Sequence, residues 1–143
     1  MAYGQTMMVL LAILLFSTMM LGYYNNLFRW YDIHNREYAR FQALKVADGV
    51  FQEIEFEYIS DRMSFSQLAN AWQDSLRVLT YSDIDYNAFV QANWCDSVGT
   101  DASPGSGFLR FDLRVGCAQG SADTIWIGTS TAPLQKLIAD MGI

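Results

Sequence analysis

The first twenty-eight residues, Met1 to Phe28, carry no charged side chain. Between Met7 and Leu21 the chain is apolar throughout, interrupted only by Ser17 and Thr18. A helix resting on a water-bathed core keeps one polar face. This segment is apolar all round, so lipid or other protein must enclose it. As a helix from Tyr3 to Phe28 it would rise about 39 Å, enough to cross a hydrocarbon core of about 30 Å. The chain therefore reads as one that starts out inserted in a membrane.

The helical pattern continues past Gly22. Tyr31, His34, Tyr38, Phe41, Leu44, Val46, Phe51, Ile54 and Tyr58 recur mostly at three- or four-residue steps. Arg36, Glu37, Arg40, Lys45, Glu53, Glu55 and Glu57 fill much of the space between them. That is an amphipathic helix with one apolar stripe. No proline precedes Pro104, so a single helix over about 3–59, roughly 85 Å long, is expected.

About 115 residues follow the apolar segment, enough for one compact domain. The net charge of −6 leaves no basic footprint for nucleic acid. Cys95 and Cys117 show no metal-site spacing, and His34 is the only histidine. If the distal half lies outside the cytoplasm the two cysteines pair, closing a loop worth roughly 3 kcal/mol; otherwise they stand as two buried thiols.

Beyond Ser60, Ser64 or Ser66 is expected to cap a second helix running to about Leu79, with Phe65, Leu68, Ala69, Trp72, Leu76 and Leu79 as its buried stripe. The segments 88–94, 108–116 and 123–130 read as strands, and 96–107 reads as a loop by composition. The tail from Pro133 reads as a short helix. The expected fold is α+β: one long N-terminal helix whose second half packs on a small antiparallel sheet. Residues 1–28 form the membrane or core segment, and residues 29–143 form the head.

This arrangement resembles the type IV pilins and pseudopilins. The resemblance rests on the charge-free N-terminal segment flowing into an amphipathic helix, on Gly22 as a helix-weakening residue, on the small β-domain and on the distal cysteine pair. It implies an inner-membrane subunit processed and N-methylated by a prepilin peptidase. The pilus assembly machinery then extracts the subunit into a helical homopolymer. The resemblance places Met1, Gln5, Met8, Leu11, Leu14, Leu15 and Met19 in the packing of the filament core and gives Gly22 a helix-melting role. It also implies that Cys95 and Cys117 are joined, with the 96–107 loop on the outer, adhesive surface. The family's glutamate slot holds Gln5 here. Gln5 accepts a hydrogen bond from a neighbour's amine but cannot neutralise it. At headgroup depth it would instead be an ordinary polar helix-end residue.

Arg29, Arg36, Arg40 and Lys45 flank the apolar segment on its C-terminal side, with no Lys or Arg before it. Read alone, that would hold the head in the cytoplasm. A basic leader removed ahead of Met1 resolves the conflict and makes Met1 the processed, methylated residue. Cleavage after Gly4, leaving Gln5 first, is the alternative register.

Tyr23, Tyr24, Phe28, Trp30 and Tyr31 read as an interfacial belt that becomes subunit packing. Met7, Met8, Met19 and Met20 read as flexible gap-fillers. Glu53, Glu55 and Glu57 read as solvated. Asp83 and Asp85, joined by Asp96 or Asp101, are a weak cation candidate whose spacing matches no Ca²⁺ loop. No nucleophile motif, cofactor motif or metal set is visible, so a non-enzymatic role is expected. The first expectation is a pilus subunit. A minor pilin or pseudopilin of a secretion system is the alternative, followed by a signal-anchored binding domain.

Overall fold

A computed structural model describes residues 2–60, 63–119 and 123–140, with Ala2, Gln119 and Asp123 described by backbone alone. The elements in chain order are α1 (Ala2–Ile59), α2 (Phe65–Trp72), β1 (Ser75–Tyr81), β2 (Ile84–Cys95), β3 (Phe108–Gln119), β4 (Asp123–Ile127) and β5 (Leu134–Ala139). The architecture is α+β, one long N-terminal helix with a five-stranded antiparallel sheet. Residues 1–38 and 39–143 form two separate compact units.

In the second unit α1 lays one face on the sheet. That face is built from Ala39, Ala43, Val46, Ala47, Val50, Ile54 and Tyr58, all buried. This face differs from the expected stripe. Val46, Ile54 and Tyr58 belong to it, but Phe41 is 56% exposed and Leu44 is exposed as well. Alanines at four-residue steps (39, 43, 47) place small side chains on the buried face, and Phe41 and Leu44 are left on the outer side.

Ser64 caps α2 through a capping box. The Ser64 backbone N–H donates to Gln67 Oε1 (2.9 Å), and the Gln67 N–H donates to Ser64 Oγ (3.4 Å). Phe65, Leu68, Ala69 and Trp72 are buried as expected. The helix does not reach Leu79. Gln73 is extended and Asp74 takes a φ of 50°, so the chain turns and 75–81 becomes β1. Leu76 and Val78, on the face of β1 away from the helices, stay exposed.

The sheet order is β1-β2-β3-β4, all antiparallel, and β5 also pairs with β3. β4 covers Val115–Gln119 of β3 and β5 covers Phe108–Leu113, both on the edge opposite β2. The tail after Pro133 is therefore a strand, not a helix. Leu134 and Ile138 face the core, and Lys136 on the same side reaches Glu55 (2.8 Å) along the Phe51 ring.

Candidate functional site

The site expected from the sequence lies in the first unit. Gln5, Met8, Leu11, Leu14, Leu15 and Met19 are all exposed there, Leu14 at 62%. Met1 lies outside the described residues. The segment is long and apolar enough to cross a membrane, and no part of its most apolar stretch is buried among the described residues. Its two threonines hide their polarity. Thr6 Oγ1 donates to the Tyr3 carbonyl (3.0 Å) and Thr18 Oγ1 to the Leu15 carbonyl (2.8 Å). Each hydroxyl is thus satisfied within the helix and adds little cost in an apolar setting. The Gln5 side chain makes no hydrogen bond among the described residues, so its amide is open to a partner outside the chain.

Gly22 sits within α1, and a side chain added there would meet open space. Its role is not local packing. Tyr23 and Tyr24 make an edge-on pair (6.2 Å) within an exposed aromatic set that includes Phe28, Trp30 and Tyr31. The first charges beyond the apolar stretch appear at Arg29 and Asp32, and Asp32 pairs with Arg36 (3.4 Å).

The cysteine pairing is overturned by the strand register. Both thiols are free and buried. Cys117 stands opposite Tyr86, whereas Cys95 stands opposite Phe108 at the far end of β2, nine residues from Tyr86. At about 3.3 Å per residue that is about 30 Å, against the roughly 7 Å a disulfide spans. Burial pushes both thiols above their ordinary pKa; at Cys95 the nearby Arg110 opposes that shift and neighbouring carboxylates add to it.

The same register separates the cation candidates. Asp83 and Asp85 lie at the β1–β2 turn, where Thr80 Oγ1 donates to Asp85 Oδ1 (2.7 Å). Asp96 and Asp101 lie at the opposite end of β2. The four carboxylates share no site.

The 96–107 loop is exposed as expected, but it is anchored. Asp96 Oδ1 accepts the N–H groups of Val98 (3.0 Å) and Thr100 (2.8 Å), and the Thr100 bond leads in holding its carboxyl below the usual range. Arg110 reaches Asp101 (2.9 Å) and Asp112 (3.1 Å) and donates to the Gly99 carbonyl. Asn93 and Gln135 complete the shell around Asp112 (3.1 and 2.9 Å). Burial works against the charge on Arg110, but bonding to Asp112 and Asp101 outweighs it and raises the guanidinium pKa. Arg110 and Asp112 are two residues apart in β3 and so lie on one face of the sheet. Their shared face was legible from the i, i+2 spacing, but their partners on other strands were not.

Glu53, Glu55 and Glu57 are likewise more than solvated charges. Glu53 pairs with Arg77 (3.5 Å), Glu55 with Lys136 (2.8 Å), and Glu57 accepts from Trp72 Nε1 (2.7 Å). They tie α1 to β1, β5 and α2. No protein-family model matches the chain, and no curated protein or solved structure matches it significantly.

Proposed function

We propose that this chain is the structural subunit of an extracellular, type IV pilus-like filament, held in the inner membrane before assembly and polymerised through its N-terminal helix. One observation carries the reading: a helical segment that is apolar on every side and whose most apolar stretch is covered by none of the described residues. Once such a segment leaves lipid it needs neighbours, and copies of itself are the simplest cover. Each Å² of apolar area withdrawn from water contributes about 25 cal/mol, part of which replaces the earlier contact with lipid.

Two further features support it. The outer side of α1 carries two exposed apolar pairs, Phe41 with Leu44 and Phe56 with Ile59, separated by Asp48 and Gln52, and each offers a neighbouring subunit a small apolar contact. Gln5 offers an amide oxygen that can accept a hydrogen bond from a neighbour's amine; it leaves no carboxylate unpaired in the core, but it does not neutralise the amine. The three glutamate ties hold the head on α1, so pulling on the helix carries the head along.

The test is to shear surface filaments from cells, identify the subunit by mass spectrometry, and repeat with Leu14→Arg. A central charge costs about 2.5 to 3.5 kcal/mol on insertion scales and is worse in a dry bundle. Filaments made of this chain should appear with the native sequence and vanish with the variant. Intact filaments from Leu14→Arg, or none from the native chain, would overturn the proposal.

A further inference from the structure

The edge strand beside β3 leaves the sheet and then rejoins it. Ile127 lies opposite Val115, so an unbroken strand would set residue 129 opposite Leu113; Leu134 stands there instead. Five extra residues are looped out beside Arg114, which neither β4 nor β5 pairs. Gly128 permits the departure. Its φ is +76°, and a Cβ there would meet the Leu113 carbonyl oxygen at 2.8 Å. The excursion is a closed turn: the Thr129 N–H donates to the Ala132 carbonyl and the Ala132 N–H to Thr129 Oγ1, both at 3.0 Å. It frames a hollow of about 270 Å³ lined by Arg114, Trp126, Gly128, Thr129 and Ser130.

Trp126 forms the floor of this hollow. A Cβ on its strand partner Gly116 would sit 2.7 to 2.9 Å from three atoms of the six-membered ring, so glycine lets the indole lie against the sheet. Phe89 flanks it, with ring centroids 5.9 Å apart at 39°. The ring is held from these two sides and is still 46% exposed. Arg114 lies 5.8 Å from the Phe89 ring and has no carboxylate partner among the described residues. Elsewhere in the head, Arg77 and Arg110 are each matched to an acid. Ser130 adds a hydroxyl without a partner among the described residues.

We propose that this hollow binds a saccharide carrying a carboxylate, of the uronic acid class. The apolar C–H face of a pyranose stacks on the exposed indole, the carboxylate meets the guanidinium fork, and sugar hydroxyls exchange bonds with the Thr129–Ser130 rim. A polynucleotide fits poorly, because the chain's net charge of −6 repels a polyanion. A single carboxylate escapes most of that field, since at physiological salt charges beyond about 8 Å are screened. The inference does not depend on filament formation, because Trp126 and Arg114 lie in the head and not in the apolar segment.

The test uses the full chain in detergent micelles, titrated calorimetrically with methyl galacturonoside, which carries one carboxylate, and with neutral methyl galactoside. The acidic sugar should bind at least ten-fold more tightly. Arg114→Gln should erase that preference, Arg114→Lys should restore part of it, and Trp126→Ala should lose both sugars while the head keeps a cooperative unfolding transition above the titration temperature. Equal affinity for the two sugars, no binding of either, or native affinity in Arg114→Gln and Trp126→Ala would overturn the proposal. So would a Trp126→Ala effect confined to self-association. Filament yield from Trp126→Ala, measured separately, distinguishes failure of this site from failure of polymerisation.

Discussion

Trp72 fastens α2 to α1, and its replacement tests how the head is held together. Its side chain is fully buried, its Nε1 donates to Glu57 Oε2 at 2.7 Å, and Arg77 lies 4.6 Å over the ring while pairing with Glu53. Truncating a buried Trp to Ala costs about 3 to 5 kcal/mol. Glu57 is half-exposed and rehydrates once its donor is gone, so the lost hydrogen bond adds little. A loss of about 4 kcal/mol is therefore expected. Domains hold only about 5 to 15 kcal/mol in all. For a head of this size, at about 4 °C per kcal/mol, Tm should fall by about 16 °C. Trp72→Phe keeps most of the ring and loses only the donor, so it should cost about 1 to 2 kcal/mol. Near-UV circular dichroism of the full chain in detergent follows the packed aromatics of the head, with the exposed aromatics of the first unit contributing the same background in the native chain and the variant. A Trp72→Ala midpoint within about 3 °C of the native one would refute the reasoning, because it would mean that α2 contributes little to the core.

Ala43→Leu should destabilise the head by about 1 to 3 kcal/mol by forcing α1 off the sheet, read as a lower denaturant midpoint; an unchanged midpoint would show that the helix does not need small residues there. Cys95 and Cys117 should resist maleimide in the native chain and both react after denaturation without reductant, as counted by mass spectrometry; an unreactive pair would restore the disulfide. Asp96 has a folded pKa below its ordinary 3.8, so its anchoring of the 96–107 loop is fully present above 3.8 and is lost as pH falls through the lower folded value. A carboxyl NMR titration should give a midpoint under 3.8, and a midpoint at or above it would contradict the Val98 and Thr100 bonds.

The long helix and the three central strand segments were legible because their signals are local. No proline interrupts residues 2–59, and the 96–107 stretch is rich in turn residues. What was missed depended on distant partners. Leu76 and Leu79 fall at helical spacing from Trp72, yet residues 75–81 pair with 84–90 along β2, and that pairing prevails over the spacing. In 134–139 the inward Lys136 spoils the alternation of a strand, and only Glu55, eighty-one positions earlier, explains why it is tolerated. The cysteine error has the same origin. Two cysteines flanking one loop look close in sequence, but a register that sets Cys95 opposite Phe108 carries Cys117 to the other end of the sheet. The Trp126 hollow had no local signal, because Gly116 and Trp126 become partners only when β4 pairs with β3.

The most direct measurement of the filament proposal is a density map of sheared filaments at a resolution that shows side chains. The expected map has copies of this chain with residues 2–28 of each helix packed at the axis, Leu14 and Met19 against neighbouring helices, Gln5 near a neighbour's N-terminus, and helical hydrogen bonding loosened at Gly22. A map whose core is built from another protein, or one in which the 2–28 segment lies on the filament surface, would contradict it.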